Sequence, residues 1–233
     1  MDIFYSNIIH DNTIELSTSE SHHCAVVLRH EIGSQIQVLD GIGSRYLCAI
    51  IDNNKKKVIA DILNKEFHTP KAYKIHLIIA PTKSLDRIEW FVEKSVELGV
   101  SQISFIKTQR TERNKINITR INRIVMSAMK QSGQYYLPII NDLIIYRGVI
   151  SNRKEQQLFI AHLEGQDKKN NIVDLYRKNS DCCVMIGPEG DFTIDEINLA
   201  IENNFQPVTL GSSRLRTETA GIYAVSTIKA LNE

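Results

Sequence analysis

The sequence predicts an α/β protein in which a small β-barrel precedes a larger domain built on a mainly parallel sheet. Three observations carry that reading. Residues 1–67 break into short, often alternating apolar runs separated by turn residues, the pattern of a small all-β unit. Beyond Pro70 the rhythm changes to continuous apolar runs alternating with helical periodicity, which implies parallel strands covered by helices. Two glycine-bearing segments in the last quarter each end an apolar run, and ligands of α/β sheets gather at such strand ends.

In the first part, residues 3–5, 13–16, 35–39, 46–51 and 57–63 are the expected strands, punctuated by Gly33-Ser34, Asp40-Gly41 and Asp52-Asn53-Asn54. A helix over residues 19–30 interrupts them, with Ser19 or Ser21 available as its cap. The polar stretch His68-Thr69-Pro70-Lys71 reads as a linker, which divides the chain into residues 1–69 and 72–233. A strand over 75–80 then leads into a helix over 83–98, on which Ile88, Phe91, Val92 and Val96 have helical spacing. A strand over 103–106 and a helix over 118–131 follow, and residues 139–140, 158–161, 182–186 and 207–210 are further strands. Thr193-Ile194-Asp195-Glu196 has the spacing of a capping box, so a helix opens there. A last helix runs from Thr217, its expected cap, towards Leu231. Its Ile222, Val225, Ile228 and Leu231 suit either core packing or a subunit interface.

The chain has 233 residues, 42% of them hydrophobic and 24% charged, which excludes extensive disorder. A net charge of +1 leaves any nucleic-acid reading to local clusters. Residues 107–130 hold Lys107, Arg110, Arg113, Lys115, Arg120, Arg123 and Lys130 against Glu112, seven bases less one acid, a local +6. That excess, with Gln109, Asn114 and Asn117 interleaved, suits phosphate contact, a solvated helix face being the alternative. His22, His23 and Arg29 form a fainter basic feature suited to RNA. No apolar run approaches the roughly eighteen residues of a membrane span, and Met1-Asp2-Ile3-Phe4 lacks the flank and apolar core of a secretion signal. Cys24, Cys48, Cys182 and Cys183 have no CxxC spacing, so reduced packing thiols in a cytoplasmic protein are expected, with no metal.

The first glycine segment is Val184-Met185-Ile186-Gly187-Pro188-Glu189-Gly190-Asp191-Phe192-Thr193. Glu189, between two turn formers at a strand end, suits ligand contact or helix-terminus electrostatics. The segment lacks a GxGxxG fingerprint and a phosphate-cradling lysine, so nothing favours a nucleoside triphosphate or dinucleotide. The second runs Leu210-Gly211-Ser212-Ser213-Arg214-Leu215-Arg216-Thr217-Glu218. Arg216 and Glu218 are either a surface ion pair or a group that receives an anion or carbonyl.

On these residues the chain resembles the RsmE family of 16S rRNA uridine-N3 methyltransferases, members of the SPOUT superfamily. His22-His23 with Val27-Leu28-Arg29 is similar to the family's amino-terminal element, and Asp40-Gly41 with Tyr46 to its barrel hairpin. Lys83 to Arg87, Lys94, Glu97-Leu98-Gly99-Val100, Arg110 to Arg113, Arg123, Ala128, Gln131-Ser132 and Pro138 follow the family pattern in order. Ile186-Gly187-Pro188-Glu189-Gly190 and Leu215-Arg216-Thr217-Glu218-Thr219-Ala220 match its two most specific motifs. The resemblance implies a PUA-like barrel for RNA, then an α/β SPOUT domain with a deep trefoil knot, acting as a homodimer on the 16S rRNA of the small ribosomal subunit. It implies S-adenosylmethionine as cofactor, held by Ile186, Gly187, Pro188, Glu189, Gly190, Leu210, Gly211, Leu215 and Arg216. Arg216 is expected to stabilise charge on the uracil, with Glu218 or Glu189 orienting it or taking the proton. His22, His23, Arg29, Arg110, Arg113, Arg120 and Arg123 are expected on RNA, and replacing Arg110 and Arg113 is expected to spare cofactor affinity. Asp191 stands where a second glycine is common, and Ser213-Arg214 replaces a common Arg-Ile pair. A sister SPOUT enzyme with another RNA target, or a non-catalytic RNA-binding or assembly protein, are the competing readings.

Overall fold

Four short strands and two of eleven residues form the sheet in the first part of the computed structural model, which describes residues 1–151, 153–165 and 170–233. They are β1 (Ile3–Tyr5), β2 (Ile8–Ile9), β3 (Thr13–Glu15), β4 (Gln35–Leu39), β5 (Ser44–Asn54) and β6 (Lys57–Phe67). The sheet order is β1-β4-β5-β6-β3-β2, antiparallel except for the β1–β4 pair. Two irregularities in the β5–β6 ladder bend the sheet, as bulges do. Phe4, Ile14, Ile36, Val38, Cys48, Ile50, Val58 and Ala60 are buried in one core inside it. The strand β2 has no counterpart in the sequence reading.

The interrupting helix differs from expectation. It begins as α1 (Thr18–His22), capped by Ser17, whose side chain accepts the Glu20 N–H, rather than by Ser19 or Ser21. A π-helical turn, His23–Val27, follows, and the helix ends with Arg29 at φ +58°. Contacts divide the chain into two units, residues 1–70 with 126–137, and 71–125 with 138–233. The return of 126–137 to the first unit has no sequence signature, because contacts between residues distant in the chain carry it: a backbone bridge between Ile42 and Tyr136, and side chains. Lys130 Nζ lies 2.7 and 2.9 Å from the Glu20 carboxylate oxygens, the Tyr136 hydroxyl donates to the His68 carbonyl at 2.8 Å, and Tyr135 stacks on His68 at 3.6 Å.

In the second unit β7 (Ile75–Ile79), β8 (Gln102–Lys107), β9 (Ile139–Ile145), β10 (Gln157–Ala161), β11 (Cys182–Ile186) and β12 (Gln206–Val208) form a sheet of order β12-β10-β11-β7-β8-β9, parallel throughout. The helices are α2 (Leu85–Glu97), α3 (Ile118–Ser132), α4 (Tyr146–Ile150), α5 (Ile172–Leu175), α6 (Ile194–Glu202) and α7 (Thr217–Asn232), with the division between units falling inside α3. Every residue of β7 and β11 is buried, as their unbroken apolar runs require in a sheet covered on both faces. Ile78, Ile106, Ile160, Cys183 and Met185 pack on one side with Tyr146, Phe192, Ala200 and Phe205. The capping box is present: Thr193 Oγ1 accepts the Glu196 N–H and the Glu196 carboxylate accepts the Thr193 N–H. No helix of the described residues is long and apolar enough to cross a membrane.

All four cysteines are free and buried. Burial pushes the Cys24 thiol up to about 11 and Cys48 and Cys182 to about 12, so these sulfurs pack as protonated groups. On the other face, α7 lies close enough to α2 and β7 that only a glycine fits at position 221. A Cβ there would stand 2.5 Å from the Phe91 ring and 3.1 Å from Ile79. Phe91 is itself buried and cannot swing away. Gly221→Val is therefore expected to cost about 2–3 kcal/mol through overpacking, lowering the thermal midpoint by roughly 4–12 °C for a chain of this size. Calorimetry that finds an unchanged midpoint would refute the close contact.

Candidate active site

Strands β10, β11 and β12 end at Ala161, Ile186 and Val208, and Ala161 is in register with both of the others. Their carboxyl ends and the loops that follow line a cavity of about 370 Å³, within the range of small-molecule sites. The first glycine segment is one wall. Its turn is closed by the Asp191 N–H on the Pro188 carbonyl at 2.9 Å, and Asp191 itself sits at φ +62°. That left-handed conformation favours glycine, with Asp and Asn the side chains that tolerate it best. Asp191 also uses its carboxylate here, accepting the Phe192 N–H on Oδ1 and the Leu163 N–H on Oδ2, each at 2.8 Å. A residue that departs from the motif thus ties the loop after β10 to the glycine turn.

The second segment is the opposite wall. Gly211, at φ +103°, turns the chain, and the Thr209 hydroxyl donates to its carbonyl at 2.7 Å while accepting its N–H at 3.1 Å. The two walls are joined by Thr217, whose hydroxyl donates to the Gly187 carbonyl at 3.0 Å. Thr217 is therefore the first residue of α7 and a tie between loops, not the helix cap. The cap position belongs to Arg216, which makes no side-chain cap bond.

Of the expected pocket residues, Ile186, Gly187, Pro188, Glu189, Leu210, Gly211, Leu215 and Arg216 line the cavity. Gly190 does not: it belongs to a neighbouring depression, and its carbonyl accepts the Arg110 guanidinium at 2.7 Å. Arg87, His162, Leu163, Asp191, Thr209 and Arg214 also line it. His162 and Leu163 were legible in principle, since they follow the carboxyl end of a parallel strand.

The charged residues separate by what they already hold. Glu189 is exposed, and its Oε1 accepts the Lys83 N–H at 3.0 Å, fastening the loop after β7. Glu218 is only 6% exposed, its Oε1 lying 3.6 Å from Arg87 Nε. Its Oε2 is buried with no hydrogen-bond partner among the described residues. A buried carboxylate oxygen left without a donor is costly, and a water or a ligand donor can satisfy it. Arg216 is exposed and pairs with no described residue.

The basic stretch is not one uniform surface. Arg110 also reaches the Phe192 carbonyl at 3.4 Å, and Arg113 donates to the carbonyls of Thr82 and Lys83. Both arginines thus hold carbonyls of the loops beside the cavity, and neither lines the cavity itself. Arg120 is held in a two-pronged pair by Glu89. Arg123, Lys107 and Lys115 are exposed, with no partner among the described residues. In the first unit His22 and Arg29 are exposed, while His23 is half-buried with its ring edge-on to Phe4.

Residues 69–229 match the model of an RNA methyltransferase domain, and residues 16–63 that of an RNA methyltransferase PUA domain. Ribosomal RNA small subunit methyltransferase E of Rickettsia conorii is 26% identical over 230 residues, covering 97% of this chain and 93% of that protein. Among solved structures, a probable rRNA-methyltransferase from Porphyromonas gingivalis superposes with TM-score 0.90 at 36% identity, covering 99% of each chain. Ribosomal RNA small subunit methyltransferase E from Neisseria gonorrhoeae, bound to S-adenosyl methionine, gives TM-score 0.88 at 30% identity over 100% of this chain and 98% of that one.

Proposed function

This chain belongs to the RsmE family of RNA methyltransferases, and on that premise we propose that it methylates N3 of one uridine in 16S rRNA. It is an S-adenosylmethionine-dependent rRNA methyltransferase. The observation that carries the uridine reading is that one depression beside the cavity is lined both by Arg216, which pairs with no described residue, and by Glu218, whose buried Oε2 has no partner among the described residues.

The donor set fits the cofactor. Ile186, Val208, Leu210 and Leu215 offer apolar wall for an adenine ring, the glycine turns bring backbone close, and no lysine lines the cavity among the described residues. When bound, S-adenosylmethionine supplies an electrophilic methyl group on a sulfonium. The protein's part is to make uracil N3 a nucleophile, since that nitrogen carries a proton at neutral pH. Glu218 Oε2 accepts that proton, and Arg216 stabilises the negative charge that spreads onto the uracil carbonyls. Glu189 is the weaker base candidate because its carboxylate already holds the Lys83 N–H.

Residues 1–69 serve as the RNA-binding PUA-like domain and 72–233 as the methyltransferase domain, a division supported by the matching family models. His22, Arg29 and Arg123 are the exposed candidates for RNA contact, with His23 half-buried beside them and Arg110, Arg113 and Arg120 partly engaged elsewhere. The knot and the homodimer belong to the same reading. The return of α7 to β7 and β11, after β12 has paired with β10, supports the knot. Val225 and Ile228 are buried in their own unit, which leaves the outward side of α7, with Tyr223, for a second copy. The cytoplasm, where small subunits assemble, is the proposed place of action.

Mass spectrometry of 16S rRNA from a strain lacking the protein is expected to show one N3-methyluridine missing, restored by the purified protein with S-adenosylmethionine. A full complement of N3-methyluridine in that strain would refute the reading.

A further inference from the structure

Beside the cavity, and sharing Arg87, Arg214, Leu215 and Arg216 with it, opens a second depression completed by Asp86, Trp90, Glu218 and Thr219. Trp90 is the single tryptophan of the chain and is 46% exposed, although its neighbours Ile88, Phe91 and Val92 on α2 are buried. The depression is therefore lined by one aromatic side chain, by the guanidinium-bearing Arg87, Arg214 and Arg216, and by Glu218, whose buried Oε2 has no partner among the described residues. We propose that it seats the acceptor uracil: Trp90 stacks on the ring, Glu218 Oε2 accepts N3–H, and Arg87 and Arg214 donate to the two ring carbonyls.

The inference rests on the methyltransferase reading above and adds to it the residues that choose the base. The uracil edge presents acceptor, donor, acceptor, which is the complement of a carboxylate flanked by cations. Cytosine presents a bare N3 lone pair at the middle position, where it would face the carboxylate without a proton between them. A site built around such a hydrogen bond rejects the analogue that lacks it far more strongly than a merely apolar pocket does. Stacking on Trp90 also suits a base drawn out of its helix, since an aromatic platform replaces the lost neighbours.

The test compares the wild-type chain with Trp90→Ala and Trp90→Phe, using small subunits from a strain lacking the protein. Trp90→Ala is expected to raise KM for the subunit by about tenfold or more, from the usual worth of one stacked base. S-adenosylmethionine affinity by calorimetry should stay unchanged, and Trp90→Phe should restore most of the loss. Unmethylated 16S rRNA transcript should quench the emission of the one tryptophan. Wild-type turnover with Trp90→Ala equally active overturns this proposal and leaves the methyltransferase reading standing. Tryptophan emission that ignores RNA but changes on protein dilution also overturns it, and assigns the face to a contact between copies. Failure of the wild-type chain to form N3-methyluridine overturns both.

Discussion

Arg216→Ala keeps the fold and lowers single-turnover methylation about 10²–10³-fold, the usual effect of removing one preorganised donor from a developing anion. The expectation of an intact fold follows from what Arg216 lacks. Its side chain is exposed, it bonds to no described residue, and its backbone lies at φ −71°, ψ 157°, which any residue adopts. Circular dichroism and thermal midpoint should match the wild type, while the methylation rate at saturating S-adenosylmethionine falls. An unchanged rate would remove Arg216 from the chemistry and leave it a surface cation. A fall in rate with an equal fall in stability would place it in the scaffold instead.

Glu155→Ala is expected to destabilise the second unit by about 2–3 kcal/mol, the range for a hydrogen bond to a charged group in a buried setting. His76, buried on β7, has Nδ1 at 2.5 Å from Glu155 Oε1 and Nε2 at 2.8 Å from Ser104 Oγ, and Ser104 in turn accepts from Asn141 at 2.8 Å. Burial by itself would raise the Glu155 carboxyl. The His76 hydrogen bond, a backbone hydrogen bond and the charges of His76 and Arg153 outweigh it, and hold the group down at about 2 against an ordinary 4.5. A carboxyl depressed in the folded state adds stability that is fully present above its unfolded value and is lost as pH falls through its folded value. The window is therefore from about 4.5 down to about 2. Urea midpoints across that window should fall more steeply for the wild type than for Glu155→Gln. Parallel slopes would show that the pair does not govern acid stability.

The elements themselves were legible because their signals are local. The strands over 75–80, 103–106 and 182–186 appear close to where unbroken apolar runs place them, as do the helices over 83–98 and 118–131. The capping box of Thr193 and Glu196 needs only residues three apart, and it formed as read. The misplaced caps were decided by distant partners. Thr217 has the residue type of a cap, yet its hydroxyl is claimed by Gly187, thirty positions away.

The site was half legible for the same reason. Glycine turns announce where backbone comes close to a ligand, so most of the cavity wall could be named from the two segments. The employment of charged residues could not. Arg110 and Arg113 look in sequence like free phosphate contacts, and in the structure they hold loop carbonyls. Glu189 and Glu218 are equivalent carboxylates on paper, until burial and the Lys83 N–H separate them. Asp191 read as a departure from the motif, and its φ of +62° with bonds to Leu163 and Phe192 makes it part of the turn.

By itself, then, the sequence determined the order of the main strands and helices, the two glycine turns and the family to which they belong. All of these are written in spacing along the chain. The tertiary structure alone decided which carboxylate has a buried oxygen without a partner among the described residues, which arginines hold loop carbonyls, and that Trp90 shares a depression with Glu218. Those outcomes depend on burial and on donors contributed from far along the chain, and neither is encoded in the residues beside them.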